Sequence, residues 1–304
     1  RIRKKFGGMV RKLSLTQGTS KVTRDIFPVF DAQLPADANE KVCVWVRDGW
    51  SIDENSVRAD ARQAGNQSPT VFVFIPKRSA DDLRHYLIDF KAASATLDKR
   101  GVPNTAEGTE ARSAMETTKQ TAEGKIREML QEAFSGARVF QGGGNEILGT
   151  DLQDMTLEAA TNALQRLYPQ FHVADHAGWP KVYEKAQKGG PDALKSVGDD
   201  GEPAKNPVCK AILAFIAGGK KGIDIRKNFE GATYGWPGDA VDGGLQVLLV
   251  AGLIRAQDEK GQTIDPKDLE RKIIGKTMFK VESATVSVAQ RIQIRKVLQK
   301  VGLT

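Results

Sequence analysis

The stretch that decides the fold is Asn206–Pro266, which reads NPVCKAILAFIAGGKKGIDIRKNFEGATYGWPGDAVDGGLQVLLVAGLIRAQDEKGQTIDP. Asn206 is a good N-cap, and Pro207 suits the first helical position because the N–H it lacks is not needed there. Apolar residues then recur at helical spacing until a Gly-Gly pair, which predicts a first helix. A short second helix is predicted over 223–229 and a third over 237–250, each set off by glycine or proline.

Two strand-like runs follow the third helix. Leu253–Ala256 and Gln262–Ile264 flank the polar turn Gln257–Gly261, which predicts a hairpin. The order of helix, short helix, longer helix and hairpin is that of a winged helix-turn-helix. We expect Ile223, at the start of the second helix, to join the core of this module.

The third helix is a poor candidate for reading DNA bases. In winged helices that read DNA, the N-terminal residues of this helix contact base edges. Here Asp239 and Asp242 occupy that end, where carboxylates would repel phosphate. The segment 245–250 is apolar almost all round, which predicts that it is buried. We therefore expect any nucleic-acid contact to come from cations in the turn, the second helix and the wing. The candidates are Lys220, Lys221, Arg226, Lys227, Arg255 and Lys260.

The composition is that of an ordinary globular protein long enough for two or three domains. The chain has 304 residues, of which 27% are charged and 40% hydrophobic, and its formal net charge is +7. That charge is compatible with nucleic acid or an acidic partner. Cys43 and Cys209 lie in apolar runs, which favours two reduced, buried thiols over a disulfide or a metal site. Because no apolar run of about 18 residues occurs, we expect no membrane association and a cytoplasmic location. Because the chain starts at Arg1, we expect it to be a piece of a longer protein.

The first hundred residues alternate between strand-like and helical patterns. Such alternation predicts a small α/β domain over 1–100 with a parallel pair of strands. The predicted strands are Val42–Val46 and Thr70–Ile75, and the predicted helices are Glu54–Ala64 and Ala80–Leu97. The basic start RIRKKFGGMVRKL (Arg1–Leu13) can bind phosphate, but such a run is more typical of a solvated helix remnant.

A helical connector is predicted over 101–175. Its long helix, Thr109–Phe134, has few apolar anchors, which is typical of a helix that bridges domains or rests on a partner. The glycines of Gly142–Gly144 are expected to form a hairpin turn, since no helix start follows at once as a phosphate loop requires.

The whole chain is therefore expected to be α/β plus α. A small α/β N-terminal domain and the connector precede a winged helix-turn-helix-like domain over 176–282 and a basic C-terminal helix over 283–304. Arg291 and Arg295, on the outward face of that last helix, are further candidates for nucleic-acid contact.

Spacing predicts neither a catalytic site nor a metal site. His172 and His176 stand four residues apart, but zinc needs at least a third ligand and none is arranged nearby. The Gly-Lys-Thr run at 275–277 resembles part of a phosphate loop, yet Glu270 stands where that loop needs a glycine. We expect no catalytic residue, no metal and no cofactor in this chain.

Six separated blocks carry a resemblance to a known family. They are VWVRDGW (Val44–Trp50), SPTVFVFIPK (Ser68–Lys77), VFQGGGNE (Val139–Glu146), RLYPQFHVADHAGW (Arg166–Trp179), NPVCKAILAFIAGGKKGIDIRKNFE (Asn206–Glu230) and YGWPGDAVDGGLQVLLVAGLIRA (Tyr234–Ala256). In this order, over nearly the whole chain, they resemble the BrxC or PglY proteins, the large P-loop ATPases of bacteriophage exclusion (BREX) systems.

The resemblance implies antiphage defence in a bacterial cytoplasm. Members of the family carry a Walker A motif that this chain lacks, so ATP and magnesium are expected for the full-length parent and not for this region. The resemblance implies a non-catalytic region that places the ATPase on double-stranded DNA or on other BREX proteins, with self-association also open. The alternative is a pure protein-interaction scaffold, with Trp50, Trp179 and Trp236 as docking residues.

Overall fold

The computed structural model describes residues 2–100, 105–282, 288–300 and 302. In chain order, the helices are α1 (Ile2–Val10), α2 (Glu54–Ala64), α3 (Ala80–Ala95), α4 (Ala106–Ser135), α5 (Leu152–Leu167), α6 (Trp179–Gln187), α7 (Pro207–Ile216), α8 (Gly222–Glu230), α9 (Gly238–Val250), α10 (Arg271–Ile274) and α11 (Val288–Lys300). The strands are β1 (Leu15–Gln17), β2 (Val22–Arg24), β3 (Phe27–Val29), β4 (Cys43–Asp48), β5 (Val71–Ile75), β6 (Arg138–Gln141), β7 (Glu146–Ile147), β8 (Lys220–Lys221), β9 (Ile254–Gln257), β10 (Thr263–Ile264) and β11 (Met278–Val281).

The chain divides into two compact units. Unit 1 consists of Arg1–Leu15 and Arg24–Leu167, and unit 2 of Thr16–Thr23 and Tyr168–Thr304. The sequence placed divisions at 100 and 175 instead. The predicted connector is divided between the two units, because α4 and α5 belong to unit 1 and its last residues, from Tyr168, belong to unit 2.

Unit 1 is built on a five-stranded mixed sheet in the order β3-β4-β5-β6-β7. The strands β3, β4 and β5 are parallel, with Val44 paired to Val71 and Asp48 to Ile75, and β6 and β7 are antiparallel. The predicted parallel pair is therefore confirmed. Every residue of β5 is buried, as expected of a strand covered on both faces. The hairpin from β6 to β7 passes through the three glycines, as predicted.

Two helices of unit 1 pack differently from the sequence prediction. Far from bridging domains, α4 lies against α3 and buries Ile126 and Leu130 beside Leu83. The basic start is not a solvated remnant either. Its helix α1 buries Phe6 and Val10 completely or nearly so. In both cases a few apolar residues at helical spacing are enough to anchor a mostly polar helix.

Unit 2 carries a four-stranded antiparallel sheet in the order β10-β9-β11-β8. Its core lies between this sheet and α6 to α9, with Trp236, Phe229 and Ile212 among the buried side chains. The three predicted helices and the predicted hairpin are confirmed to within about two residues, the usual uncertainty of helix ends. The prediction for Ile223 is wrong, because its side chain is 56% exposed at the start of α8.

A segment from the N-terminal part of the chain completes unit 2. The carboxylate of Asp175 accepts hydrogen bonds from the Thr19 and Ser20 amides at 2.9 and 2.8 Å and from the Ser20 hydroxyl at 2.7 Å. Burial acts to raise the pKa of Asp175, but the Ser20 and Thr19 hydrogen bonds outweigh it and lower the pKa. The ionised carboxylate thus holds the β1–β2 hairpin to unit 2. Among the described helices, none combines the length and the apolar character needed to cross a bilayer.

Candidate nucleic-acid interface

The third helix of the predicted winged-helix region is enclosed by protein. Every residue over 240–249 in α9 is buried, including the polar residues Asp242 and Gln246. The predicted burial of 245–250 is confirmed over 245–249, and Val250 is partly buried. In this arrangement the side chains over 240–249 cannot reach base edges in a DNA groove, because other elements of unit 2 cover them.

A glycine pair lets two helices approach α9 closely. A Cβ atom on Gly243 would lie 3.2 Å from Cε3 of Trp179 on α6. A Cβ atom on Gly244 would lie 2.7 Å from Cδ1 of Ile212 on α7, which is too close without displacement. The two glycines therefore seat α9 between α6 and α7.

A paired charge network covers the N-terminal half of α9. Arg226 donates from Nε and Nη2 to the two carboxylate oxygens of Asp242 at 2.9 and 2.8 Å. Arg271 forms an ion pair with Asp239. Burial raises the pKa of Asp242, and the hydrogen bonds from Arg226 act in the opposite direction. Because Arg226 compensates a buried carboxylate, it is not a free cation for phosphate, contrary to the sequence prediction.

The connection from β10 to β11 completes this cover. Gln246 donates a hydrogen bond to the Pro266 carbonyl, and the Tyr183 hydroxyl donates to the Leu269 carbonyl at 2.9 Å. The guanidinium of Arg271 lies 4.3 Å from the centre of the Tyr183 ring. Residues 265–271 are thus held across α9 by both polar and cation–π contacts.

The Gly-Lys-Thr run at 275–277 has a structural role. The amide of Gly222 donates to the Thr277 carbonyl at 2.9 Å, and the amide of Ile223 donates to the Gly275 carbonyl at 3.0 Å. These bonds join the start of α8 to the segment that leads into β11. The carbonyl groups of this run therefore accept hydrogen bonds from the start of α8, and the run does not form a phosphate-binding loop.

Three cations share the outer face of the unit 2 sheet. Lys280 pairs directly with Arg255, and Met278, two residues before Lys280, pairs with Lys221. Alternation along β9 and β11 turns Ala256 and Phe279 into the core, so the three cations lie on the opposite face. We call Lys221, Arg255 and Lys280 the basic sheet face.

The basic sheet face is a patch of positive charge. Among the described residues, none of its three cations forms an ion pair within 4.0 Å. Glu282, one residue beyond β11, borders the face on one side. Like charges placed directly opposite on antiparallel strands destabilise a sheet. The arrangement therefore favours a polyanionic ligand.

The other predicted cations lie outside the basic sheet face. Lys227 is exposed on α8, and Lys220 lies over the Phe215 ring, with its Nζ 5.3 Å from the ring centre. Lys260 stands in the β9–β10 turn, where Asp258 accepts bonds from the amides of Lys260 and Gln262 at 2.8 Å each. The side chains of Arg291 and Arg295 lie outside the described residues.

Two of the three predicted docking tryptophans are core residues. Trp236 is 2% exposed, stacks on Phe229 and donates to the Gln170 carbonyl at 2.9 Å. Trp179 is 3% exposed and donates to the Ala174 carbonyl at 3.0 Å. Buried rings cannot meet a partner, so both are corrected to structural residues. Trp50, in unit 1, is 39% exposed and stays a candidate.

The predicted histidine pair makes local hydrogen bonds. His172 lies 3.0 Å through Nδ1 from the Pro169 carbonyl, and Nδ1 of His176 accepts from the Gly178 amide at 2.9 Å. Within the described ranges, His, Cys, Asp and Glu side chains form no group of three or more that could hold a metal ion. Comparisons with family models, curated proteins and solved structures give no match to this chain.

Proposed function

We propose that unit 2 is a winged-helix module that binds the phosphate backbone of double-stranded DNA through the basic sheet face, without reading base sequence. The observation that carries this proposal is the direct opposition of Arg255 and Lys280, with Lys221 on the same face and no ion pair among the described residues. Backbone contacts from lysine and arginine position a protein on DNA but carry no sequence information.

The order of elements supports the winged-helix part of the proposal. The chain order is α7, β8, α8, α9, β9, β10 and β11, and in the sheet the last strand, β11, lies between β9 and β8. The wing corresponds to the β9–β10 hairpin, with Lys260 in its turn. The burial of α9 favours backbone contact over the major-groove reading typical of such helices.

The wider context rests on the resemblance to the BrxC or PglY proteins. We propose that the chain is a non-catalytic region of a BREX antiphage-defence ATPase, acting in the bacterial cytoplasm. ATP and magnesium would be bound by another part of the parent protein. This region would place the motor on DNA, beside other BREX proteins.

A charge-matched comparison tests the DNA proposal. We expect fluorescence anisotropy to detect similar affinities for two unrelated duplexes, each falling as salt rises. A triple variant, Lys221→Gln with Arg255→Gln and Lys280→Gln, should lose most of this binding. The matched control changes Lys181, Lys185 and Lys188, in or next to α6, to glutamine. If both variants lost the same amount of DNA affinity, the loss would follow from net charge alone, which would contradict the proposed face.

A second candidate function, protein docking, rests on Trp50. Its ring is partly exposed in a turn that Asp48 closes by accepting a hydrogen bond from the Trp50 amide at 3.1 Å. Exposed tryptophans are frequent anchors of protein interfaces. Trp50→Ala should then abolish DNA-independent capture of purified BREX proteins, whereas unchanged capture would exclude this ring as an anchor.

A further inference from the structure

Unit 1 contains an open groove that the proposed DNA interface does not use. It lies between α1 and α4, near the start of α5, and has a volume of about 660 Å³. That volume is within the range of about 300–1,000 Å³ typical of small-molecule sites. The groove involves the basic start of the chain, which has no role in the proposed function.

The lining of the groove is strongly unbalanced in charge. Four cations line it, Lys4, Lys5, Lys12 and Arg127, against one carboxylate among the described lining residues, Glu123. No ion pair within 4.0 Å engages any of these four cations in the described part of the chain. An anion would supply the missing compensation.

The same groove has an apolar base. Ile126 is fully buried and Leu130 is 8% exposed, and both line the groove together with Met9. Phe6 and Val10 anchor α1 in the core, so the cations on this helix are held on a packed element. The groove therefore offers an apolar surface bordered by positive charge.

Lys5 is the most constrained of these cations. It is half-buried, and burial lowers the pKa of its ammonium group. Its Nζ lies 4.9 Å from the centre of the Phe134 ring, a cation–π contact that only partly replaces water. A desolvated cation of this kind gains more from an anion than a fully hydrated surface lysine does.

We propose that this groove binds a small phosphorylated molecule with an aromatic or apolar part, of about nucleotide size. The phosphates would meet the cations, and the apolar part would lie on Met9, Ile126 and Leu130. Lys4 lies six residues, roughly 9 Å along the helix axis, before Val10, the last residue of α1, and Lys12 lies in the turn beyond it. A compact dianion alone would therefore not span the set. The phosphate groups could come from a free small molecule or from a nucleic acid, and the probes below distinguish these two sources.

Isothermal titration calorimetry of the chain with four probes tests this site. The probes are adenosine diphosphate, pyrophosphate, adenosine and a single-stranded DNA 20-mer. We expect saturable binding of the diphosphate, with pyrophosphate and adenosine each weaker by about tenfold or more, because charge-assisted bonds and apolar contact both contribute.

Two kinds of variant locate the binding. Lys12→Gln with Arg127→Gln should weaken the diphosphate by about tenfold or more, whereas Arg11→Gln, beside Lys12 but outside the lining, should not. Gly8→Leu should block the groove, since a Cβ atom there meets nothing within 4 Å and the fold has room for it. No saturable binding, binding of the 20-mer alone, or equal affinity in the groove variants and the Arg11→Gln control would overturn the proposal. Thermal unfolding of each variant shows that the chain is folded.

Discussion

Arg255 and Lys280 lie directly opposite each other on the neighbouring antiparallel strands β9 and β11, on the face of the sheet turned away from the core. The Cβ atoms of directly opposite residues lie roughly 5 Å apart, and two like charges at such a position repel each other. The described part of the chain supplies no ion pair to either of them. The repulsion lowers the stability of the free protein, and a phosphate backbone would relieve it.

Lys280→Glu should therefore stabilise the free protein. The new carboxylate would face Arg255 directly, whereas Glu282 would be two residues, about 6.7 Å, further along the strand. We expect the free energy of unfolding in urea to rise by about 0.5 kcal/mol. Lys276→Glu makes the same charge change outside the strand. Its free energy of unfolding should stay within about 0.5 kcal/mol of the natural chain and should not rise as that of Lys280→Glu does. A loss of stability in Lys280→Glu would contradict the opposed-charge interpretation.

Arg226→Ala should destabilise unit 2 substantially, because it leaves the buried carboxylate of Asp242 without its bidentate partner. Breaking a buried pair by removing one member costs about 3 kcal/mol or more. Lys227→Ala, at the next position on α8 but exposed, should change stability by less than about 0.5 kcal/mol. Urea unfolding compares the two. If Arg226→Ala unfolds at the same urea concentration as Lys227→Ala, the charge network does not stabilise α9 as described.

The β1–β2 hairpin should detach from unit 2 on acidification. The folded pKa of Asp175 is lowered, so its stabilising contribution is complete above the unfolded value of about 3.9 and is lost as pH falls through the folded pKa. Protection of the Thr19 and Ser20 amides from hydrogen exchange should decrease below about pH 4. Asp175→Ala should show the decreased protection already at neutral pH, by about tenfold or more. Equal protection in the variant and the natural chain would show that the Asp175 hydrogen bonds do not hold the hairpin to unit 2.

Cys209 should be inert while the protein is folded. Burial raises the pKa of its thiol to about 12 and leaves it fully inaccessible. Since the folded pKa lies above the unfolded value of about 8.5, the contribution of this thiol to stability is complete below that pH and is lost as pH rises above it. A thiol reagent at pH 8 should label Cys43 and Cys209 only on unfolding. Rapid labelling of Cys209 in the native chain would contradict its burial.

The sequence predicted the helical frame of unit 2 because its signals are local. Asn206, for example, caps α7 by accepting from the amides of Val208 and Cys209, as its position before Pro207 indicated. The strand β11 was missed, since Met278–Val281 is short and its neighbours in the sheet are remote in sequence. Without β11, Lys280 could not be placed beside Arg255. The alternation of Lys280 with Phe279 and Val281 was the available signal.

Burial and long-range pairing account for the other differences. Trp179 and Trp236 looked suited to docking because the sequence does not show whether an aromatic side chain faces the core or the solvent. Arg226 looked free because Asp242 lies sixteen residues away and one helix later. The hydrogen bonds between Ser20 and Asp175 span 155 residues, and no periodic pattern in the sequence predicts them. Local propensity predicts elements well, but contacts between distant residues decide which charges stay available.

The most direct test combines stability with the salt dependence of DNA binding in Lys280→Glu. The plot of log binding constant against log salt for a short duplex should be linear in the natural chain, and the variant should lose about one unit of slope for each phosphate contact removed. The account predicts that this variant binds DNA more weakly with a smaller slope while its unfolding free energy rises. Unchanged affinity and slope in a stably folded Lys280→Glu would contradict the claim that the basic sheet face holds the phosphate backbone.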